Sequence, residues 1–457
     1  MSEQLPPQLP KSVLYQWSQS LGLRTIVVSL LGLLMLVPLF FVDKVVKERQ
    51  AHYQTALNGI AERWGGKQTL IGPVLVVPYV EHFTSVDTIS DENGESRVVS
   101  KDVFNDRTAI LLPESLEIRA NLNEEHRQQG IYDALVYNAT VSLSGKFNHA
   151  QVLQSSEGER RILWNKAFIA LGLTDQRAID TASSFFWNDG RIEMQPGTRL
   201  SKLLPSGFHI PLNVNADSTP TNEFKLTLNL RGSDGLLFAP LGQTTAIRMT
   251  SAWTHPNFQG DLLPSKYDIT EAGFNAAWNI PHLVRNYPQY WVLEDQQTYD
   301  LRSFSAGVSL DEPDALYPLI ERAVKYGALF IGMTFLVFFA FEISLKQRLH
   351  VLQYGLVGVA LSLFYLILLA AAEHIGFLYA YVAAAAATIL SITVYTGVIL
   401  RNGWRTFLLF LLLVLLYGLL YLLLQMEDYA LLIGVGLLLF ASVIMMYVTC
   451  HLINNPV

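Results

Sequence analysis

Hydrophobic residues follow two different patterns along the 457-residue chain. In the first pattern the sequence is almost continuously apolar, as between 25 and 42 and in most of the chain after 326. About 20 helical residues cross the roughly 30 Å hydrocarbon core of a membrane, and a helix satisfies its own backbone hydrogen bonds there. The pattern therefore predicts six membrane-spanning helices, at 25–42, 326–343, 351–372, 376–400, 406–425 and 429–449.

Residues 43–65, directly after the first apolar run, show a helical spacing instead. Apolar residues recur at roughly helical intervals from Val46 to Trp64, and two glycines follow at 65 and 66. This arrangement predicts a stalk helix that continues the first span and packs on the domain after it. A helix lying on the membrane surface is the alternative.

Between residues 66 and 325 apolar and polar residues alternate, which predicts half-buried strands. The alternating segments are LEIRANL (116–122), LVYNATVSL (135–143), FHIPLNV (208–214), FKLTLNL (224–230), TTAIRMTSAW (244–253) and GFNAAWNI (273–280). Gly, Pro, Asn and Asp residues between the segments are typical of turns. The sequence therefore predicts a large antiparallel β-sandwich over 66–325, built as one extended sandwich or as two stacked halves.

The basic residues outside 43–325 predict how the chain crosses the membrane. A cytoplasmic amino terminus places all six of them on the cytoplasmic side: Lys11, Arg24, Lys346, Arg348, Arg401 and Arg405. Because Lys and Arg are enriched in cytoplasmic loops, we expect cytoplasmic tails at 1–24 and 450–457 and a periplasmic segment at 43–325. The first span is followed by no small-residue cleavage motif, so we interpret it as an uncleaved signal anchor.

Composition narrows the partners of the outer segment. Residues 43–325 contain 26 Lys and Arg and 34 Asp and Glu, a net charge of −8. This acidic balance argues against nucleic acid or an anionic lipid surface as the main partner. The single cysteine, Cys450, lies outside the segment, so we expect the domain to fold without disulfides. A segment of this size is large enough to be held together by an apolar core alone.

One polar stretch is the strongest candidate for chemistry. SAWTHPNFQGDLLP (251–264) carries Trp253, His255, Asn257 and Asp261 between two predicted strands. We interpret it as a sheet corner and a candidate binding surface, in which Asp261 bonds backbone amides. The catalytic alternative makes His255 a base or metal ligand with Asp261 as its partner. The chain has no nucleophile elbow, HExxH motif, phosphate-binding glycine loop or second histidine at ligand spacing, so we predict no metal and no cofactor.

Ionisable residues of the predicted spans lie near the helix ends. A charge at mid-membrane is costly and usually marks a transport path, and no span carries one at its centre. Glu342 precedes Lys346 by one helical turn, so we expect it to be a snorkelling interfacial residue, with a buried contact between helices as the alternative. Glu373 and His374 lie at an outer turn, as a solvated hairpin or a contact with the outer domain. All three are candidates for interhelical or interdomain polar contacts.

Long motifs are distributed over most of the chain. They are GPVLVVPY (72–79), LPESLEI (112–118), GIYDALVY (130–137), SAWTHPNFQGDLLP followed by GFNAAWNI, RAVKYGALFIGMTFLVFFAFE (322–342) and QRLHVLQYGLVGVALSLFYLILLAAAEHIGF (347–377). In these motifs, which cover nearly all of 25–400, the chain resembles the CreD family of bacterial inner-membrane proteins. The resemblance implies a Gram-negative inner-membrane protein associated with envelope integrity, in a regulon that responds to cell-wall stress. The family supplies no established catalytic residues.

Three functions fit these features. The leading hypothesis is a non-enzymatic protein of the envelope stress response, surrounded by inner-membrane lipids, whose periplasmic domain binds an envelope component or a periplasmic or membrane protein. Its basis is a large acidic β-domain without catalytic motifs. The first alternative is transport of a lipid or amphiphile between the helix bundle and the periplasmic domain, which requires a lipid groove between the helices. The second is a periplasmic hydrolase, which requires His255 and Asp261 to face one cleft.

Overall fold

A computed structural model describes residues 21–426 except for 91–95, 151–158, 181, 213–220, 294–298, 311–315, 346–349 and 401, and beyond 426 it describes 432, 434–436, 439, 443 and 446. The chain divides into two compact units. One unit consists of Met1–Gln54 and Asp314–Val457 and is called the helical unit. The other consists of Thr55–Pro313 and is called the β-domain.

The apolar runs form helices. The helices are α1 Leu21–Leu34, α2 Leu36–Trp64, α3 Leu316–Leu345, α4 Val351–Ile375, α5 Phe377–Leu400 and α6 Gly403–Gln425. Within the described residues, five candidate spans are long and apolar enough to cross a membrane, with α1 and α2 counted together as one. The span predicted at 429–449 lies mostly outside the described residues and stays a prediction.

Two helices extend beyond the apolar runs that predicted them. α3 begins at Leu316 rather than at 326, because its first turns carry Glu321, Arg322 and Lys325, which a search for apolar runs excludes. α2 continues without interruption through 43–64, the segment expected to form a stalk. Its Pro38 lies in the first turn, where a helix has no intrahelical acceptor for the backbone N–H.

The segments with alternating polarity lie in strands, FHIPLNV as far as Pro211 and TTAIRMTSAW as far as Ser251. The described strands are β1 Gln68–Ser90, β2 Ser96–Leu111, β3 Ser115–Gln129, β4 Tyr132–Asn148, β5 Glu159–Ile162, β6 Phe168–Leu173, β7 Ser184–Trp187, β8 Gly190–Ile192, β9 Gln195–Pro196, β10 Gly207–Pro211, β11 Thr221–Ser233, β12 Gly235–Phe238, β13 Thr244–Ser251, β14 Pro256–Gly260, β15 Lys266–Thr270, β16 Gly273–Pro281, β17 Tyr290–Val292 and β18 Ala306–Leu310. They form a ten-stranded sheet with the central order β14-β18-β12-β1-β6-β10-β9 and an eight-stranded sheet with the order β15-β16-β13-β3-β4-β11-β7-β8.

Both sheets are mixed, so the prediction of a purely antiparallel sandwich is wrong. β1 pairs with β12 in parallel, with Gln68 opposite Leu236. β13 pairs with β3 in parallel, with Thr244 opposite Ser115. Alternating polarity determines which face of a strand is buried, and that pattern is the same for either strand direction. Each parallel pair joins strands far apart in the sequence, where no turn motif specifies the direction.

One apolar core lies between the two sheets. Leu75 and Val77 of the ten-stranded sheet belong to the same buried cluster as Ile118, Val141 and Trp278 of the eight-stranded sheet. Side chains from two inner faces that share a single core are the arrangement of a β-sandwich. The β-domain is therefore one sandwich rather than two stacked halves.

A second buried cluster covers the opposite face of the ten-stranded sheet. Val76 and Ile110 of that sheet pack there with Leu203, Tyr287 and Leu301 from segments outside the strands. The cover depends on long connections that fold back over the sheet, which leaves the part of the sheet around Val76 and Ile110 buried on both faces.

Arg285 holds part of this cover in place, with only 8% of its surface exposed. Its guanidinium donates hydrogen bonds to the Leu241 carbonyl and to Gln289 Oε1. Gln289 Nε2 in turn donates to the carbonyl oxygens of Leu112 and Pro113, at 2.8 and 2.6 Å. Burial lowers the pKa of Arg285 and raises the pKa of the neighbouring Tyr287 to about 12. The bonds to oxygen replace water that burial has removed, which is the condition for burying a charged group.

The last turns of α2 belong to the β-domain. Ile60 forms a small buried cluster with Ala134 and Val136 of β4, and Trp64 packs against it. The guanidinium of Arg127 lies 4.3 Å from the centre of the Trp64 ring, within the range of a cation–π interaction. The outer face of the eight-stranded sheet is thus covered here by the end of the helix.

Candidate functional site

A cleft of about 1180 Å³ lies at one end of the eight-stranded sheet. It is lined by the first residues of β3, β11 and β13, by the last residues of β4 and β16, and by the turn between β7 and β8. The strand register explains this grouping. Thr244 lies opposite both Ser115 and Pro281, and Lys146 lies opposite Ser115, so these strand ends meet at one edge.

Gly145 permits the close approach of two strands in the cleft. A Cβ atom at this position would lie 1.9 Å from the Ser115 carbonyl oxygen and 3.0 Å from the Phe224 ring. Since real Cβ atoms do not approach carbonyl oxygens this closely, a side chain at 145 would separate β3 from β4 at the point where the cleft forms.

Charged groups in the cleft are nearly balanced. Lys146 Nζ lies 2.9 Å from Glu223 Oε1 on the opposite strand, and this hydrogen bond raises the pKa of Lys146. Glu117 pairs with Arg119 at 2.8 Å and with Arg248 at 3.5 Å. These pairs are exposed, so they contribute little to stability. Their effect is to present a polar surface with little net charge.

The turn between β7 and β8 forms one wall of the cleft. Asn188 and Asp189 have φ angles of 45° and 67°, the left-handed values that a type I′ hairpin turn requires at both central positions. Asn188 Oδ1 accepts a hydrogen bond from the Glu223 backbone N–H at 2.8 Å, and the Asn188 N–H donates to the Glu223 carbonyl at 3.0 Å. Phe186 precedes the turn and is 37% exposed in the cleft. An exposed aromatic ring beside hydrogen-bonding groups is a common feature of ligand sites.

The stretch 251–264 is a corner that contains a strand of its own. The sequence predicts a loop here that joins β13 directly to β16. The structure has two further strands, β14 and β15, between them. β14 pairs with β18 at the edge of the ten-stranded sheet, whereas β13, β15 and β16 belong to the eight-stranded sheet. The chain therefore crosses from one sheet to the other and back, and a short strand without alternating polarity marks the crossing.

In this corner Trp253 and His255 contact each other, whereas Asn257 and Asp261 pair with residues of β18 or directly before it. Trp253 is half-buried against the core, and its Nε1 donates to the His255 carbonyl at 2.9 Å. The His255 side chain is exposed, with Nδ1 at 2.9 Å from Thr254 Oγ1. Asn257 lies in β14 opposite Ser309.

Asp261 binds the backbone at the start of β18. Its Oδ2 accepts a hydrogen bond from the Ser305 N–H at 2.9 Å, and its own N–H donates to the Ser305 carbonyl at 2.8 Å. The carboxylate and the His255 imidazole thus have different hydrogen-bonding partners. Among the described residues, no group of three or more His, Cys, Asp or Glu side chains is placed to hold a metal ion.

The acidic residues singled out in the spans make contacts between helices. Glu342 of α3 is 7% exposed, and its Oε2 accepts a hydrogen bond from the Tyr354 hydroxyl of α4 at 2.8 Å. Glu373 of α4 accepts a hydrogen bond from the Tyr317 hydroxyl of α3 at 3.1 Å. His374 is exposed in the last turn of α4. Glu342 is therefore buried between helices, which differs from the snorkelling residue expected from its spacing to Lys346.

An apolar groove of about 400 Å³ runs between α1 and α3 in the helical unit. Gly32 and Leu33 line one side, and Gly332 and Phe335 line the other. Small residues on these two facing helices, Gly32 and Gly332 among them, leave this space open.

Nearly the whole chain is similar to a known protein family. The sequence profile of the family described as "Inner membrane protein CreD" matches residues 20–453. The chain belongs to the CreD family. A curated relative in Escherichia coli (strain K12), "Inner membrane protein CreD", is 34% identical over 421 residues, which cover 91% of this chain and 90% of the relative. With its several apolar helices, this CreD-family chain is a multi-pass inner-membrane protein.

Solved structures give only a faint likeness. An M1 zinc metallopeptidase from Deinococcus radiodurans is 10% identical, covers 44% of this chain and 42% of its own, and superposes with a TM-score of 0.20. A substrate-bound E323A mutant of the same enzyme is 7% identical, covers 48% and 54%, and gives a TM-score of 0.22. Scores this low say nothing about the chemistry of a CreD-family protein.

One sequence motif among the cleft residues predicts part of the site. WNDG (187–190) places Asn and Asp before Gly between short alternating segments, which is a strong signal for a type I′ hairpin. It predicts the turn, but it does not predict that β7 pairs with β11 or that the turn adjoins the ends of β3, β4 and β16. Lys146 and Glu223 lie far apart in the sequence, so only the strand register brings them together.

Proposed function

We propose that this CreD-family protein is a non-enzymatic component of the envelope stress response, and that it supports envelope integrity by binding a ligand in the cleft of the eight-stranded sheet. The observation that carries the proposal is the cleft itself, which gathers ion pairs, amide side chains and an exposed aromatic ring at the meeting point of five strand ends. The ligand is an envelope component or a partner protein that presents uncharged hydrogen-bonding groups.

The nature of the ligand follows from the cleft's charge. Its carboxylates, Glu117, Asp189 and Glu223, are nearly matched by the amines of Lys146 and Lys225. A strongly anionic or cationic ligand would leave uncompensated charge, whereas hydroxyl and amide groups bond equally well to carboxylates and to ammonium groups. The exposed ring of Phe186 supplies an apolar face on which a flat portion of the ligand packs.

The hydrogen bonds of His255 and Asp261 in the corner 251–264 support a non-enzymatic function. The Asp261 carboxylate accepts a hydrogen bond from the Ser305 backbone N–H, and the exposed His255 has the Thr254 hydroxyl as its partner. A general base is usually oriented by a carboxylate, and among the described residues the partner of the His255 imidazole is the Thr254 hydroxyl instead. The proposal therefore assigns 251–264 a structural role.

The proposal places both termini in the cytoplasm and residues 43–325 in the periplasm. One labelling experiment tests this location and the occupied cleft together. In a Cys450→Ser background, Thr244→Cys at an exposed position of the cleft lining and Leu263→Cys in the corner each supply a single reactive thiol. Both side chains are exposed, Leu263 at 73%. A charged maleimide that cannot cross the inner membrane is applied to intact cells, and labelling rates are compared with those of the purified protein.

The expected result is labelling at both positions in intact cells. Relative to the purified protein, the thiol at 244 reacts several-fold more slowly in cells because a ligand shields it, whereas the thiol at 263 reacts at an unchanged rate. Labelling that requires lysis contradicts the periplasmic location. Equal rates in cells and in purified protein at position 244 contradict an occupied cleft, and slowing at 263 alone moves the binding surface to the corner.

A second candidate function is movement of a lipid or amphiphile, which the groove between α1 and α3 favours. In a membrane, an apolar groove of this kind is filled by an acyl chain because water is excluded there. Gly332→Leu fills the groove from one side, and a Cβ at Gly332 meets no atom within 4 Å. Gly355→Leu in α4, equally unobstructed, is the matched control. We expect mass spectrometry of the purified protein to find fewer copurifying lipids with Gly332→Leu only; equal lipid content in both variants removes this function.

A further inference from the structure

A buried chain of side-chain hydrogen bonds leads from His149 to the wall of the cleft. His149 follows β4 and is 3% exposed, with its ring against Trp164 at a centroid distance of 4.8 Å. Its Nδ1 lies 3.1 Å from Nδ2 of Asn222, a residue that is 1% exposed. Asn222 Oδ1 lies 2.6 Å from Nδ2 of Asn188, in the turn between β7 and β8.

The direction of every bond in this chain is determined by one backbone group. The Glu223 N–H can only donate, so the atom of Asn188 that faces it is the acceptor Oδ1. The amide nitrogen of Asn188 therefore faces Asn222 and requires Oδ1 there. Asn222 consequently presents its own Nδ2 to His149, and Nδ1 of the imidazole has to accept. This arrangement is satisfied only by neutral His149 with its proton on Nε2.

Protonation of His149 breaks the chain. An imidazolium carries N–H groups on both ring nitrogens, so Nδ1–H would face the Asn222 N–H as a second donor. Rotating the Asn222 amide moves the conflict to Asn188, and rotating Asn188 moves it to the Glu223 N–H, which cannot become an acceptor. No combination of amide rotations removes the conflict. At least one hydrogen bond of the chain is lost; loss of the buried bond between Asn222 and His149 costs about 1–3 kcal/mol.

The cleft wall depends on the last bond of the chain. Asn188 holds a left-handed φ angle, a conformation that costs a non-glycine residue energy and persists only when surrounding contacts require it. Two of those contacts are its bonds to Asn222 and to the Glu223 N–H. Loss of either bond therefore releases a turn that is intrinsically strained.

The charged groups on the elements around His149 leave burial as the main influence on its titration. They are Lys146 on β4, Glu223 on β11, Asp189 in the turn and Lys166 beside Trp164, and the first two pair with each other. Burial lowers the pKa of His149 from its ordinary value of 6.5. Since the unfolded chain then binds more protons than the folded one, stability is complete above about pH 6.5 and falls as the pH drops toward the lowered pKa.

We propose that His149 makes the cleft sensitive to acid: neutral His149 holds the turn Trp187–Gly190 in its binding shape, and protonation loosens that turn and releases the ligand. The inference rests on the proposed function for its consequence in the cell, but the change in the turn exists with or without a ligand. A domain in the periplasm is exposed directly to a fall in pH in that compartment.

Spin labelling of the turn tests the inference without any ligand. The full-length protein in lipid nanodiscs carries Cys450→Ser and a nitroxide at Arg191→Cys, an exposed position in β8 directly after the turn. Electron paramagnetic resonance spectra are recorded between about pH 7.5 and about pH 5. We expect the mobile component to grow as the pH falls, with a midpoint below 6.5. His149→Gln, whose Oε1 accepts from Asn222 at every pH, is expected to keep the label immobile throughout.

Two comparisons make the result decisive. His255→Gln removes an exposed histidine of the same domain and is expected to leave the pH response unchanged. His149→Leu removes the acceptor and is expected to give a mobile label at neutral pH. A wild-type spectrum that does not change with pH, or a His149→Gln variant that responds like wild type, overturns the inference. Because neither readout involves ligand, an empty cleft in cells would contradict the proposed function and leave this result standing.

Discussion

Replacing Gly232 with alanine is expected to lower the free energy of unfolding of the β-domain by about 3 kcal/mol. Gly232 lies opposite Tyr137 in the ladder of β11 and β4, and the tyrosine ring lies across the glycine. A Cβ at 232 would lie 2.2 Å from the Tyr137 hydroxyl oxygen and 2.3 Å from Cζ. The ring cannot move aside, because it is fully buried and its hydroxyl donates to the Gly235 carbonyl at 2.8 Å.

Thermal unfolding of the full-length protein, followed by tryptophan fluorescence, measures this effect. For a domain of this size, about 3 kcal/mol corresponds to a midpoint lowered by about 6 to 12 °C. Gly66→Ala is the matched control, because a Cβ there meets no atom within 4 Å, and it is expected to change stability by less than about 0.5 kcal/mol. A second variant, Gly232→Ala with Tyr137→Leu, is expected to be less destabilised than the sum of its parts, since the smaller side chain makes room. Equal midpoints for Gly232→Ala and Gly66→Ala would contradict this packing.

The sequence predicts individual helices and strands well because buried side chains recur along each of them at a fixed spacing. Leu226, Leu228 and Leu230 alternate with polar residues, and each is buried in β11. The long apolar runs likewise become α4, α5 and α6 with small differences in their bounds. These predictions need only local information, since side chains on one face of a strand or helix recur at a fixed spacing.

Strand direction and pairing are not local, and the cleft depends on both. Thr244 meets Ser115 only because β13 lies parallel to β3, and nothing in either segment indicates that the other is its neighbour. The same limit explains β14. Residues 256–260 have no alternating polarity because the strand lies at a sheet edge, so the sequence indicates only a turn-rich connection there.

Two charged residues show why polarity misleads at buried positions. Arg285 lies in a polar segment and would be assigned to the surface, but the connection that carries it folds over the ten-stranded sheet and encloses its guanidinium. Glu342 has Lys346 one turn away in the sequence and Tyr354 on the next helix. The spacing in the sequence predicts an ion pair of Glu342 with Lys346. Packing of the two helices instead places the Tyr354 hydroxyl 2.8 Å from Glu342 Oε2.

Removing two cleft side chains is expected to abolish function without unfolding the protein. Phe186→Ala combined with Lys225→Ala deletes the exposed ring and an amine that has no ion-pair partner among the described residues. Neither side chain is buried in the core, so stability should change by less than about 1 kcal/mol. Loss of a central aromatic contact worth about 2 kcal/mol weakens binding by about 30-fold.

Survival of a deletion strain under cell-wall stress shows whether ligand binding in the cleft is the protein's function. The strain carries wild type, the Phe186→Ala and Lys225→Ala double variant, or His255→Ala as a control from the corner, and the amount of each protein in the membrane fraction is quantified. We expect the double variant to accumulate like wild type and to fail to protect, while His255→Ala protects fully. Full protection by a normally accumulated double variant would contradict the assignment of binding to the cleft, and failure of His255→Ala at normal abundance would place the functional surface at the corner.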